Sequence, residues 1–125
     1  MYLDMLMVLV GGGLGALLRY LITLTVYGDK APAFPYGTLI VNLLGCFCIG
    51  LLAGYFQRHP ELPMFLKLFA ITGVLGGLTT FSTFSLETFN LLYLHPVYAV
   101  ANITCSVAAG LICVAVGMQV IQSIL

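Results

Sequence analysis

The chain has 125 residues, of which 62% are hydrophobic and 6% charged, with 4 basic and 4 acidic side chains and a formal net charge of zero. Soluble domains average about 25% charged residues, so this sequence has too little polar surface to fold against water and reads as an all-α integral membrane protein. With no basic run, a nucleic-acid partner and a polybasic lipid-binding surface have no support and are not expected.

Crossing a bilayer core takes roughly 20 apolar residues per helix. The first such stretch runs from about Met5 to Tyr27 and ends at Gly28-Asp29-Lys30-Ala31-Pro32. No basic residue precedes it and it outlasts a signal-peptide core, so it reads as a retained span. The pairs Gly11/Gly15 and Gly12/Ala16 have the spacing that lets helix backbones approach closely in lipid. Arg19 falls about 5 Å from the midplane of a span centred near residue 16. An arginine so deep costs about 2.5–3.5 kcal/mol on insertion scales. Two readings stay open for it: snorkelling to the nearer interface, or a vestibule cation that concentrates anions.

The second stretch, about Tyr36 to Phe56, ends at Gln57-Arg58-His59-Pro60-Glu61-Leu62-Pro63 and carries Gly50/Gly54. Asn42 lies a third of the way in, between Val41 and Leu43. Its amide offers donors and an acceptor, either to a neighbouring helix or to an anion.

The third stretch, about Met64 to Tyr93, is too long for one straight crossing. Its centre reads Gly73-Val-Leu-Gly-Gly-Leu-Thr-Thr-Phe-Ser-Thr-Phe84, with Gly73/Gly77 at packing spacing and hydroxyls at Thr79, Thr80, Ser82, Thr83 and Ser85. Irregular backbone at this depth is tolerated only inside protein or along a wet cavity. A helix break at Gly76-Gly77 explains both the length and the hydroxyl cluster, and it marks a site. Phe81 and Phe84 follow it three residues apart; an aromatic ring has a positive edge that contacts an anion without carrying a charge. Glu87, about 12 Å beyond Thr79 in a helix, falls near an interface, as a solvated end charge or a vestibule residue.

The fourth stretch, about Val97 to Ile124, follows His95-Pro96. Asn102 and Ser106 share one face at i, i+4, with Tyr98 preceding them. The architecture is a single domain of four transmembrane helices over residues 1–125, the third broken near its centre.

The four cysteines, Cys46, Cys48, Cys105 and Cys113, lie within apolar stretches and read as small buried hydrophobes. His59 and His95 stand in loops beside prolines, with no nucleophile or paired carboxylate, so no enzyme is expected. Four spans place both termini on one side with Arg58 and Lys67, against Lys30 and Arg19 towards the other. That leaves almost no positive-inside bias, which permits insertion in both orientations and antiparallel pairing. Four helices enclose little space around a conducting path, so an oligomer is expected.

Three blocks resemble the Fluc (CrcB) fluoride ion channel family: Gly12-Gly13-Leu14-Gly15-Ala16-Leu17-Leu18-Arg19-Tyr20, Gly37-Thr38-Leu39-Ile40-Val41-Asn42-Leu43-Leu44-Gly45, and Gly73 to Phe84. Their order and spacing cover essentially the whole chain. The resemblance implies a passive, fluoride-selective channel in the cell inner (plasma) membrane that lowers cytoplasmic fluoride. It also implies an antiparallel, dual-topology homodimer with two pores and a structural sodium ion on the dimer axis. Carried onto this chain, the sodium is held by the carbonyls of Gly76 and Thr79. The pore phenylalanines are Phe81 and Phe84 and the pore amide is Asn42. Thr38, Thr83 and Ser106 belong to a polar track, and Arg19 and Glu87 match vestibule positions. Amide and hydroxyl donors suit a compact anion, since binding must be weak enough to release it.

Two other classes compete. A small four-span proton-coupled multidrug exporter needs a carboxylate inside its first span, where this chain has only Asp4 at the very start. A non-transporting assembly subunit leaves the glycine and hydroxyl cluster unexplained. No buried carboxylate or histidine relay suggests proton-driven exchange, so electrodiffusion is the simpler mechanism.

Overall fold

Proline and glycine set the helix ends. Helix α1 (Tyr2–Tyr27) stops at Gly28, whose φ of 53° is the one positive value among the described residues and whose N–H donates to the Leu24 carbonyl at 2.8 Å. Helix α2 (Tyr36–Arg58) starts after Pro35, and the third span starts after Pro63. Pro96 opens the last helix, α5 (Pro96–Ile124), at a position where its missing N–H has no intrahelical acceptor to lose. The computed structural model describes residues 1–28 and 32–124; Asp29 and Lys30, one of the cations in the charge comparison, lie outside them.

The four spans are Tyr2–Tyr27, Tyr36–Arg58, Met64–Leu94 and Pro96–Ile124. The third is divided into α3 (64–78) and α4 (Phe81–Leu94). Segments Leu68–Leu75 of α3 and Cys105–Ala109 of α5 are wound as π-helix, a widened form that occurs often at functional sites.

Very little apolar side chain is buried. The buried hydrophobic residues are Val41, Leu75, Leu78, Leu91 and Ala99, while Leu9 and Leu17 of α1 stand more than half exposed. Lipid tails solvate such side chains as well as protein does, so close backbone packing must hold the helices together. Glycine provides it along two seams. Between α1 and α3, a Cβ on Gly15 would overlap the Val74 carbonyl, and one on Gly77 the Gly12 carbonyl. Between α2 and α5, a Cβ on Gly50 would overlap the Val114 carbonyl, and one on Gly117 the Phe47 carbonyl. The small-residue pairs therefore serve packing within the chain, although Gly12 and Gly13 have open space at their Cβ positions.

The break in the third span is displaced from its expected place. Gly76 keeps helical torsions (φ −62°, ψ −35°), and Gly76–Leu78 forms the last turn of α3. The extended residues are Thr79 (φ −83°, ψ 157°) and Thr80 (φ −151°, ψ 123°). Gly77 lacks a side chain because α1 presses on it, not because the chain unwinds there. The unwound step falls on β-branched residues that favour extended backbone and whose hydroxyls replace lost ladder bonds.

Candidate functional site

The ends created by the break need hydrogen-bond partners, because a helix terminus leaves four N–H or four C=O groups unpaired. Thr80 is the N-cap of α4: its Oγ1 accepts from the Thr83 N–H at 3.2 Å and donates to Thr83 Oγ1 at 3.1 Å. Thr79 turns back onto α3, and both its N–H (3.0 Å) and its hydroxyl (2.9 Å) donate to the Leu75 carbonyl.

Asn42 spans the gap from α2. Its Nδ2 donates to the Thr80 carbonyl at 3.0 Å, and its Oδ1 accepts from the Thr80 N–H at 2.8 Å. One amide thus satisfies both backbone groups of an unwound residue and keeps a second N–H uncommitted among the described residues. Arg19 comes from α1 to the same place, where Nη1 donates to the Thr79 carbonyl at 3.3 Å. Through this bond the guanidinium meets the break within its own chain.

Beside the break lies a cavity of about 430 Å³, lined by Asn42, Gly45, Cys46, Gly76, Thr79, Thr80, Phe81, Phe84, Ser106 and Val107 among others. The rings of Phe81 and Phe84 stand 5.7 Å apart at 43°. Phe81 is 79% exposed, so its own chain leaves the ring uncovered. Ser106 Oγ is buried with no hydrogen-bond partner among the described residues. A Cβ on Gly45 would overlap the Thr79 methyl, so the bare backbone of α2 lets the Thr79 side chain lie against it.

The structure thus brings Asn42, Gly76, Thr79, Phe81, Phe84 and Ser106 to one cavity. Thr83 is held in the N-cap of α4 instead. Thr38 and Glu87 pair elsewhere: Thr38 Oγ1 donates to Glu87 Oε1 at 2.9 Å, while Glu87 Oε2 is buried without a partner among the described residues. Glu87 lines a second cavity, of about 300 Å³, with Tyr27, Pro35, Asn90 and His95. Arg19 is not among the residues lining either cavity.

Two carbonyls at the break depart from the helical hydrogen-bond ladder. The usual helical donor to the Gly76 carbonyl is the Thr80 N–H, which Asn42 takes instead. The Thr79 carbonyl is shared with Arg19 and keeps a second lone pair. Among the described residues no cluster of three or more His, Cys, Asp or Glu side chains is placed to hold a metal.

Sequence reasoning did not single out Thr80 as the cap, though a threonine just before a helical stretch is an N-cap signal. It also passed over Tyr27, whose hydroxyl accepts from the Gly37 N–H at 2.8 Å and whose ring a Gly37 Cβ would approach to 2.8 Å. A lone interfacial tyrosine has no local mark distinguishing this role.

Residues 6–118 match the family described as CrcB-like protein, Camphor Resistance (CrcB). The chain is 48% identical over 115 residues to the fluoride-specific ion channel FluC of Citrifermentans bemidjiense, covering 90% of this chain and 92% of that protein. It is 44% identical over 121 residues to the FluC of a Methylobacterium species, covering 96% and 97%. With the FluC of Flavobacterium psychrophilum it shares 41% identity over 115 residues, covering 91% and 93%.

Proposed function

This chain belongs to the CrcB-like family, and on that premise we propose that it is a fluoride-selective ion channel and not an enzyme. It is a multi-pass membrane protein with four spans. The observation that carries the reading is the cavity at the helix break, where an amide, an unpartnered hydroxyl and two phenylalanine rings meet without a fixed charge lining the wall.

Fluoride gives up its hydration only to several close hydrogen-bond donors. The uncommitted N–H of Asn42 and the Ser106 hydroxyl supply donors, and the ring edges of Phe81 and Phe84 supply weak positive potential. None is a full cation, so the ion is held loosely enough to leave. Arg19 biases the potential towards anions from behind the Thr79 carbonyl without standing in the path. Thr38 and Glu87 extend the polar surface from the cavity towards the end of the spans marked by Pro35 and His95. With the membrane negative inside, passive flow expels fluoride from the cytoplasm.

The assembly is an antiparallel homodimer with two pores. In its support, Phe81, Ser82 and Thr83 are exposed at the depth of the break, where hydroxyls and an uncovered path wall need protein rather than lipid against them. A second copy in the opposite orientation covers them, and the weak charge bias permits that orientation. The carbonyls of Gly76 and Thr79 fit a structural sodium ion, because the broken helix leaves the first without its ladder donor. Bound there, sodium supplies positive charge to carbonyl ends that the chain leaves partly unpaired.

The test is fluoride efflux from liposomes holding the purified protein, started with a potassium ionophore and repeated with chloride. Fast fluoride release that requires the ionophore, with no matching chloride release, is the expected result. Release without ionophore but tied to proton movement would make the protein an exchanger. No release of either ion would refute the channel.

A further inference from the structure

Helices α4 and α5 form a hairpin about His95, whose N–H closes α4 on the Leu91 carbonyl at 2.7 Å and whose carbonyl accepts from Tyr98 and Ala99. Residues equidistant from His95 in the two arms therefore lie at matching depths. Leu91 and Ala99, each four residues away, are both buried. Thr88 and Asn102, each seven away, are buried too, and Asn102 Nδ2 donates to Thr88 Oγ1 at 2.8 Å. Phe84 and Ser106, each eleven away, both line the cavity. The rungs recur at helical spacing: apolar first, then a polar bond, then the site.

Asn42 holds the N-cap of α4 through Thr80, but along its length the helix has little else in its own chain to set its rotation. It packs on the first half of α5 with a narrow contact on α2, and Thr88 and Leu91 are its buried residues. Leu86, Phe89, Leu92 and Tyr93 are exposed, and lipid receives such side chains equally well at any rotation. Directional polar bonds remain. Glu87 reaches Thr38 on α2 while Thr88, about 100° further round the helix, reaches Asn102 on α5.

We propose that the Thr88–Asn102 hydrogen bond is the register lock of this hairpin, fixing the rotation and depth of α4 and so holding Phe84 level with Ser106. Both are positioning residues, since neither is among those lining the cavity. The effect on conduction rests on reading that cavity as the anion path.

Fluoride and chloride efflux from liposomes are measured for Thr88→Val, Asn102→Leu, the double variant and Thr88→Ser, each with its elution as an assembled protein. The single variants should lower fluoride efflux on the order of threefold to twentyfold, the factor an interhelical side-chain bond in a membrane protein contributes to a two-position equilibrium. The double variant should be no worse than either single, Thr88→Ser should match the parent, and chloride leak should rise in the singles. Parent-like fluoride efflux in Thr88→Val, losses that multiply in the double variant, or a Thr88→Ser as damaged as Thr88→Val would each overturn the lock. If Thr88→Val does not assemble, Asn102→Ala is read in its place. Phe84→Ala and Ser106→Ala run alongside. Losses there with an intact Thr88→Val refute the lock alone, whereas no loss in either refutes the path and the lock's bearing on it together.

Discussion

Replacing Asn42 with alanine removes two hydrogen bonds to one residue, Thr80, which is only 8% exposed. The Thr80 N–H has no helical partner waiting, because the chain is extended there, whereas its carbonyl, at the N-cap, faces the first turn of α4. Leaving one buried backbone group unpaired costs about 1–3 kcal/mol. Interhelical bonds measured inside membranes average about 0.6 and reach about 1.7 kcal/mol, which caps two of them near 3.4. The expected loss of stability is therefore about 1–3 kcal/mol. It corresponds to a factor of about 5–150 in the population of the clamped break. The assay is unfolding of the purified protein in mixed micelles, followed by circular dichroism, with fluoride efflux measured on the same preparation. Asn42→Leu, close to asparagine in size, removes the bonds without leaving a void and should lose nearly as much as Asn42→Ala. Unchanged unfolding in both variants would refute the clamp. If efflux still falls under that result, Asn42 acts on the ion alone.

Phe81→Ile should cut fluoride efflux strongly while the assembled protein elutes as before, since the ring is largely uncovered by its own chain; parent-like efflux would remove Phe81 from the path. Ser106→Ala should lower efflux without loss of stability in the same unfolding assay, because a buried hydroxyl with no partner among the described residues adds no hydrogen bond to the fold. Gly15→Ala should lose about 1–3 kcal/mol through overpacking against the Val74 carbonyl. Gly13→Ala, with open space at its Cβ, should stay within about 0.5 kcal/mol in the same assay. Equal stability of these two glycine variants would show that the α1–α3 seam yields freely.

Residue order alone specifies the four spans, their ends and the presence of an interruption in the third. Each depends on local quantities: the length of an apolar run, a proline or glycine at its end, and hydroxyls where hydrocarbon forbids unpaired backbone. The family resemblance groups Asn42, Phe81, Phe84, Ser106, Thr38 and Thr83, and the structure places the first four around one cavity and the last two outside its lining. The position of the break was not legible, because Gly76-Gly77 and Thr79-Thr80 are both plausible places to unwind by local preference. Contact with α1 decides between them by requiring a bare, helical Gly77. The partners of the polar side chains were equally hidden. Arg19 on the Thr79 carbonyl, Thr38 on Glu87 and Asn102 on Thr88 join residues 60, 49 and 14 positions apart. A hydrogen bond forms only when two helices present donor and acceptor at one depth and on facing sides. Tertiary packing alone decides that, through the glycine seams that set how the helices cross.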